Sequence, residues 1–156
     1  MAQAWHTLLQ RFPDNQTLFV SPASAGNGES WFDAFFSACK SLYGASGCRI
    51  GALAVHDYTC DADSLMSYLS DMHQRYHLPI WMTEFACGDH SDHRSLADQL
   101  SFARALLPKL EAASFVARYA WMSARQSDPS DHRALLQTLA NGTAVLTELG
   151  QLYNSL

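Results

Sequence analysis

The segment that decides the fold is IWMTEFACGD, which runs from Ile80 to Asp89. Three apolar residues and a threonine lead directly to a carboxylate, Glu84, and apolar side chains resume immediately behind it. Pro79 stands just before the segment and ends the helical pattern that precedes it. Because an unpaired charge is costly in an apolar environment, we expect Ile80–Phe85 to be a strand whose carboxylate has hydrogen-bonding partners.

Helices and strands alternate on the amino-terminal side of this segment. The pattern predicts a helix over 2–12 and a strand from Thr17 to Ser21. The next helix is predicted to be capped by Ser30 and to close at Gly44. Ile50–Tyr58 is a continuous apolar run, typical of a parallel-sheet strand that is covered on both faces.

The same alternation continues on the carboxyl-terminal side. The remaining predicted boundaries are a helix that begins at Asp61 or Asp63, a helix that reaches about Leu107 and can kink at Pro108, a strand over 115–122, a loop with a turn at Asn141–Gly142, and a final helix that begins near Thr147. Capping side chains, prolines and glycines set most of these boundaries. This order predicts right-handed βαβ units and a parallel sheet.

The number of units limits the architecture. A complete (β/α)8 barrel takes roughly 250 residues, whereas this chain has 156. We therefore expect residues 1–156 to form one α/β domain of TIM-barrel type with only about four βα units, which is half of a barrel. A half barrel leaves strand edges unpaired, so a homo-oligomer that completes the barrel is one expected arrangement and a truncated gene product is the other.

Composition restricts the class of partner. Hydrophobic residues make up 48% of the chain, which is enough for a packed core. The net charge of -5 comes from scattered acidic and basic residues and argues against nucleic acid or an anionic membrane surface. No apolar run approaches the roughly 18 residues of a membrane span, and the first residues lack the layout of a signal peptide.

The cysteines favour loop disulfides. The chain has four of them, at Cys39, Cys48, Cys60 and Cys87. None of their spacings is C-x-x-C, so neither a zinc site nor a thioredoxin-type centre is indicated. The first two flank the end of a helix and the start of a strand, and the last two follow strands expected to be neighbours, so each pair could form a bridge. Buried thiols are the alternative. Sequons at Asn15 and Asn141 would also suit an oxidising compartment.

Candidate functional side chains lie where the predicted strands end. Strict alternation places three sets of residues on shared faces: Ile80, Met82 and Glu84; Ala52, Ala54, His56 and Tyr58; and Ala117, Tyr119 and Trp121. In a parallel barrel the working groups lie at the carboxyl ends of the strands. We therefore expect Glu84 to meet the Tyr58 hydroxyl and the His56 imidazole, with Trp121 and Tyr119 as an aromatic wall beside them.

This combination suits sugar chemistry. An anionic carboxylate beside an aromatic surface fits a pyranose ring that develops positive charge at its anomeric carbon. The alternative is structural, with Glu84 as a capping carboxylate or the ion-pair partner of Arg118 or Arg125. In that case Tyr58 and Trp121 are ordinary half-buried aromatics.

No metal or cofactor site is predicted. His73 and His77 lie four residues apart on a predicted helix, but no third ligand accompanies them, so a solvated helix face is the better interpretation. Asp89, His90, Asp92 and His93 form a polar cluster that we interpret as a hydrated loop. Nucleophile elbows, Walker loops and glycine-rich dinucleotide turns are absent from the sequence.

Six segments carry a resemblance to a known family. They are LFVSPA, SWFDAFFSACK, AVHDY, SYLSDMHQRYHLPIWMTEFAC, FARALLPKLEAASFVARYAWM and AVLTELGQLY, in this order and over nearly the whole chain. Together they resemble glycoside hydrolase family 128. The resemblance implies strands five to eight of a (β/α)8 barrel that cleaves β-1,3-glucan with retention of configuration. It also implies that Glu84 is the nucleophile, that His56 and Tyr58 line the site, that Trp121 contributes to a sugar-binding wall, and that the protein is extracellular or in the cell wall.

Two departures from the family pattern stand out. Asp57 occupies a position where the family commonly has an aromatic residue, and the Asn-Glu-Pro motif that carries the family's general acid/base is absent from this sequence. The chain is expected to begin just after that motif. Asp57, Glu29 and Asp89 are the nearest substitutes by position, and none is predicted to serve. The leading hypothesis is therefore part of an endo-β-1,3-glucanase, and the alternative is a catalytically inactive carbohydrate-binding or wall-associated remnant.

Overall fold

The computed structural model describes residues 2–13, 17–26, 28–89, 91–92, 94–128 and 130–155. Within these ranges the helices are α1 (Ala2–Arg11), α2 (Glu29–Tyr43), α3 (Ala62–Tyr76), α4 (Leu96–Ala112) and α5 (Glu148–Tyr153), with a short 3-10 turn at Gly44–Ser46. The strands are β1 (Phe19–Val20), β2 (Ser24–Ala25), β3 (Ile50–Asp57), β4 (Ile80–Phe85), β5 (Val116–Trp121), β6 (Leu136–Thr138) and β7 (Ala144–Leu146).

The main sheet is parallel and follows chain order. Its strands run β1, β3, β4, β5, and β2 also pairs with the carboxyl-terminal part of β3. Sequential neighbours joined by helices are the arrangement of a barrel segment, whereas a doubly wound sheet reverses its strand order. The prediction of an α/β fold with a parallel half-barrel sheet is confirmed. That these strands are five to eight of a complete barrel stays a prediction.

One face of the sheet is sealed by helices. Leu53 and Val55 of β3 and Ile80 and Met82 of β4 are fully buried. They pack in one cluster with side chains of α3 and α4, namely Leu65, Leu69, Met72, Leu106, Leu107 and Leu110. Each such side chain contributes about 1.5–3 kcal/mol to folding by leaving water, so this layer holds β3 and β4 in position. None of the described helices is both long and apolar enough to cross a membrane.

Two helix boundaries differ from the sequence prediction. The N-cap of α2 is Gly28, so the helix begins at Glu29, ahead of the predicted cap Ser30. Helix α4 continues through Pro108 to Ala112. Leu107 and Leu110 are buried on either side of this exposed proline, and their packing outweighs its poor helix propensity. The cap of α3 is Asp61, whose carboxylate accepts from Ser64 N at 2.7 Å.

The carboxyl-terminal tail contains a hairpin that the sequence did not predict. The turn at Asn141–Gly142 is confirmed, with Gly142 N donating to Leu139 O at 2.9 Å. The flanking residues form the antiparallel pair β6–β7, however, where a loop was expected. Thr147 caps α5 by accepting from Gly150 N at 3.0 Å, which agrees with the predicted start of the final helix near Thr147. The sequon at Asn15 lies outside the described residues.

Both suggested disulfides are formed. Cys39 joins Cys48 with their Cα atoms 5.3 Å apart, and Cys60 joins Cys87 with a Cα separation of 4.2 Å. The alternative of buried thiols is therefore wrong. The second bridge ties together the segments that follow β3 and β4.

The two bridges are expected to differ in their contribution to stability. They close loops of 27 and 9 residues, for which the chain-entropy relation gives about 3.6 kcal/mol for Cys60–Cys87 and about 2.6 kcal/mol for Cys39–Cys48. Urea unfolding of the two double-alanine variants measures both losses. An equal or larger loss from the Cys39–Cys48 variant would contradict the prediction.

Candidate active site

Three predicted side chains meet at the carboxyl ends of β3 and β4. The Tyr58 hydroxyl donates to Glu84 Oε2 at 2.5 Å, and His56 Nδ1 lies 3.5 Å from the same oxygen. On the other side of its ring, His56 Nε2 hydrogen-bonds with Thr83 Oγ1 at 3.0 Å. Both contacts to the carboxylate fall on Oε2 and leave Oε1 outside them.

A bulge in β4 creates this arrangement. Val55 pairs with Met82, but the next residue of β3, His56, pairs with Glu84, so one additional residue of β4 lies between the two pairs. That residue is Thr83. A bulge of this kind re-aims the side chains that follow it, and Glu84 consequently lies on the His56 side of the sheet.

The alternation expected from the sequence is therefore wrong for this strand. Ile80, Met82 and Phe85 share the helix-covered face and are fully buried. Regular alternation would have placed Glu84 among them. Instead, the Glu84 side chain keeps 37% of its surface exposed, which removes most of the cost of an ion in an apolar core.

Tyr58 is held in its protonated form. Burial, followed by the hydrogen bond to Glu84, raises the pKa of the Tyr58 phenol well above its usual range. At neutral pH the hydroxyl therefore remains a donor. A hydrogen bond from a neutral donor to a carboxylate favours the ionised acid and is among the stronger polar contacts in proteins.

Trp121 and Tyr119 lie elsewhere than expected. Tyr119 pairs in register with Met82, and Trp121 pairs with Phe85, so both rings share the helix-covered face. Trp121 is 6% exposed and has its ring centroid 5.1 Å from that of Phe85. The Tyr119 hydroxyl donates to Glu111 of α4. The expected aromatic wall beside Glu84 is thus not formed by these two rings, because the register of β5 turns them into the core.

A buried arginine near the site was missed by the sequence analysis. Arg133 is 3% exposed, and its guanidinium donates to both carboxylate oxygens of Asp131, at 2.8 and 2.5 Å. Its Nη1 also reaches Gly88 O at 3.5 Å, and its carbonyl accepts from Trp121 Nε1 at 3.0 Å. It therefore joins the loop after β5 to the loop after β4. An aspartate two residues ahead of an arginine is a signal too common to single it out.

The ion-pair partners suggested for Glu84 are occupied elsewhere. Arg125 Nη1 donates to Thr138 Oγ1 at 3.0 Å, and Arg118 Nη1 donates to the Ala117 carbonyl at 3.1 Å. The contacts of Glu84 are instead with Tyr58 and His56. The purely structural interpretation as an arginine-paired carboxylate is therefore wrong.

Two of the carboxylates considered as substitutes for the general acid/base, and one of the paired histidines, make local hydrogen bonds. Asp57 accepts from Thr59 N at 2.6 Å, and Asp89 accepts from Ser91 N at 2.8 Å. His73 Nδ1 hydrogen-bonds with the Leu78 carbonyl at 2.8 Å. Among the described residues no group of three or more His, Cys, Asp or Glu is arranged to hold a metal ion. His90 and His93 lie outside the described ranges.

Comparisons with known proteins identify the relatives of this chain. A family model described as "Glycosyl hydrolase catalytic core" matches residues 1–153. Alkali-sensitive linkage protein 1 of Schizosaccharomyces pombe is 33% identical over 140 residues, covering 86% of this chain and 24% of that protein.

Solved structures cover nearly all of this chain. A family 128 subgroup II endo-β-1,3-glucanase from Pseudomonas viridiflava is 34% identical with a TM-score of 0.76, covering 99% of this chain and 61% of that one. A subgroup I endo-β-1,3-glucanase mutant from Amycolatopsis mediterranei, in complex with laminarihexaose, is 28% identical with a TM-score of 0.76, covering 99% and 64%. The chain thus spans about three fifths of these structures and about a quarter of the fission-yeast protein, and it belongs to glycoside hydrolase family 128.

Proposed function

We propose that this chain provides the nucleophile side of a retaining glycoside hydrolase that acts on β-1,3-glucan. The observation that carries the proposal is the Glu84 carboxylate, which accepts from Tyr58 and faces His56 through one oxygen only. In the part of the chain that the structure describes, these contacts leave out the other oxygen, Oε1, which we propose as the reacting atom. The choice of substrate rests on the related endo-β-1,3-glucanases, one of which is bound to laminarihexaose.

The proposed reaction is a double displacement. Glu84 Oε1 forms a bond to the anomeric carbon as the glycosidic carbon–oxygen bond breaks, and the departing oxygen takes a proton from a general acid. Water then attacks the anomeric carbon while the former general acid, now acting as a base, takes its proton. This attack breaks the ester bond and releases the Glu84 carboxylate. Tyr58 stabilises the anionic carboxylate before attack.

A second carboxyl group is required for this reaction on glucan. In retaining enzymes it lies about 5–5.5 Å from the nucleophile, and the Asn-Glu-Pro motif of the family is absent from this sequence. We propose that this group comes from a polypeptide segment other than residues 1–156, since a second copy of the same sequence would lack the motif as well. The alternative is a carbohydrate-binding remnant that never forms a covalent intermediate.

Trapping the intermediate separates these alternatives. A 2-deoxy-2-fluoro-β-laminaribioside with a dinitrophenolate leaving group needs no general acid, because that phenolate departs unprotonated. Mass spectrometry of the treated chain is expected to show one added glycosyl unit, located on Glu84 after peptide digestion. A chain that binds laminari-oligosaccharides but is never labelled would establish the remnant, and labelling of another carboxylate would move the nucleophile.

Removal of the Tyr58 hydroxyl is expected to slow this labelling. Tyr58→Phe deletes the hydrogen bond that holds Oε2 and thereby orients Oε1 towards the sugar, and the loss of a well-oriented contact to a charged group corresponds to roughly 10- to 100-fold in rate. Tyr43→Phe is the matched control, because it also loses one hydroxyl hydrogen bond, to the Ala2 carbonyl at 2.7 Å, away from Glu84. Equal labelling rates in the two variants would remove Tyr58 from the mechanism.

The location proposed for the protein is extracellular or in the cell wall. Two disulfides are typical of an oxidising compartment, and β-1,3-glucan would be the polymeric partner there. The proposed reaction does not depend on the proposed location, because neither disulfide is oxidised or reduced during it.

A further inference from the structure

Thr83 is the additional residue of the β4 bulge, and it contacts the same ring as Glu84. The Thr83 hydroxyl oxygen, Oγ1, lies 3.0 Å from His56 Nε2, and Glu84 Oε2 lies 3.5 Å from His56 Nδ1. In a regular strand two neighbouring side chains point to opposite faces of the sheet. Because of the bulge, these two side chains instead reach the two nitrogens of one imidazole.

The charge of Glu84 favours one neutral form of the His56 ring. A neutral imidazole carries a hydrogen on one nitrogen and a lone pair on the other. A lone pair on Nδ1 would be repelled by the anionic Glu84 oxygen, whereas a hydrogen on Nδ1 would be attracted to it. The lone pair therefore belongs on Nε2, where a hydrogen-bond donor is needed.

The Thr83 hydroxyl is suited to be that donor. A hydroxyl can donate to Nε2 and carries no charge of its own. A carboxylate in its place would favour a doubly protonated ring, and a cation beside Oε2 would draw negative charge away from the proposed nucleophile. Thr83 is partly buried, and the His56 side chain is 21% exposed, so water competes only in part for this contact.

We propose that Thr83 is a positioning residue that acts on Glu84 through His56. Its hydroxyl donates to Nε2 and anchors the ring, so that the hydrogen on Nδ1 stays directed at Oε2, beside the hydroxyl of Tyr58. Two donors on one oxygen fix the plane of the carboxylate and keep Oε1 directed at the sugar. The effect on the reaction rests on the proposed function, whereas the form of the His56 ring does not.

Nuclear magnetic resonance can observe this anchor directly. Long-range ¹H–¹⁵N spectra of the ¹⁵N-histidine-labelled chain, recorded at about pH 8, where an ordinary imidazole is neutral, distinguish a ring nitrogen that carries hydrogen from one that carries a lone pair. The signals of His56 are assigned by their loss in His56→Gln. The parent ring is expected to carry hydrogen on Nδ1 and a lone pair on Nε2.

Substitutions at Thr83 test the hydrogen bond itself. Thr83→Val replaces the hydroxyl by a methyl group and is expected to move the His56 Nε2 resonance to higher frequency, as a lone pair does when it loses its donor. Thr83→Ser keeps a hydroxyl and should leave the resonance close to its parental position.

The fluoro-glycoside measures the effect on Glu84. Thr83→Val is expected to lower the labelling rate at saturating reagent about 3- to 10-fold with little change in the half-saturating concentration, and Thr83→Ser should restore the rate to within about twofold. Thr138→Val is the matched control, because it also removes a strand threonine hydroxyl with one side-chain hydrogen bond, to Arg125 at 3.0 Å. It should label at the parental rate.

The outcomes separate the anchor from the proposed reaction. Hydrogen on Nε2 of the parent ring, or on both nitrogens, would overturn the anchor, because Thr83 would then accept and not donate. This measurement needs no substitution at Thr83, so it decides even if Thr83→Val fails to fold. Parental labelling by a folded Thr83→Val would overturn the positioning role. A chain with the expected ring form that is never labelled would support the anchor and overturn the reaction.

Discussion

Replacement of Glu84 by glutamine is expected to lower cleavage of a dinitrophenyl β-laminaribioside by roughly 10⁴- to 10⁶-fold, the range seen when an enzyme loses its nucleophile. The glutamine amide keeps the size and the polar character of the side chain but cannot form the glycosyl ester. Because Glu84 is on the exposed side of the bulge and not in the core, the variant should unfold at nearly the same urea concentration as the parent chain.

The control is a carboxylate outside the site. Asp71→Asn removes one negative charge from an exposed position on α3 and is expected to leave cleavage within about twofold, since surface substitutions away from special features have small effects. Initial rates of dinitrophenolate release, measured at saturating substrate, compare the two variants. Turnover by Glu84→Gln at the parental rate would assign the nucleophile to another residue.

Phe85→Ala is expected to destabilise the fold by about 3–5 kcal/mol, the cost of removing a buried phenylalanine ring. The ring is fully buried and lies 5.1 Å from Trp121 and 6.0 Å from Tyr119, measured between centroids. In a chain of this length the loss corresponds to a fall in Tm of roughly 8–16 °C. It also removes the anchor on the carboxyl side of the bulge, so labelling at Glu84 should weaken as well.

An exposed phenylalanine provides the comparison. Phe12 is 44% exposed, and Phe12→Ala is expected to cost about 1 kcal/mol or less. Calorimetry of the two variants checks the difference. If both lowered Tm equally, the layer between sheet and helices would not be the main source of stability.

The sequence was a good guide where local signals and burial agree. The apolar runs of β3 and β4, a helix start at Asp61 or Asp63 and a final helix that begins near Thr147 were all predicted, because each depends on residues close in the chain. The meeting of Tyr58 with Glu84 followed from the rule that parallel strands end at one edge of a sheet.

Features set by pairing between strands could not be predicted. No glycine or proline marks the bulge at Thr83, since it arises from the register of β4 against β3. The same holds for Trp121, whose direction depends on which residue of β4 it faces. The expectation that Glu84 meets Tyr58 is correct only because of that bulge, since regular alternation would have turned Glu84 onto the buried face of the sheet.

The pairing of β6 with β7 also could not be predicted from the local sequence. The Asn141–Gly142 turn was visible in the sequence, yet only three residues pair on each side of it. Strands of this length do not show the alternation by which strands are recognised. Arg133 was missed for a related reason, because its contact with the carbonyl of Gly88, 45 residues away in the chain, cannot be seen in the local sequence.

The hydrogen bond from Tyr58 to Glu84 Oε2 has a consequence for the second half of the proposed reaction. Once the sugar is esterified through Oε1, Oε2 becomes the carbonyl oxygen of an acylal, and the phenol remains in position to donate to it. The same hydroxyl would then draw electron density towards the departing carboxylate while water arrives. A single tyrosine would thus orient Oε1 for the formation of the covalent adduct and stabilise the carboxylate that its breakdown releases, without changing its position.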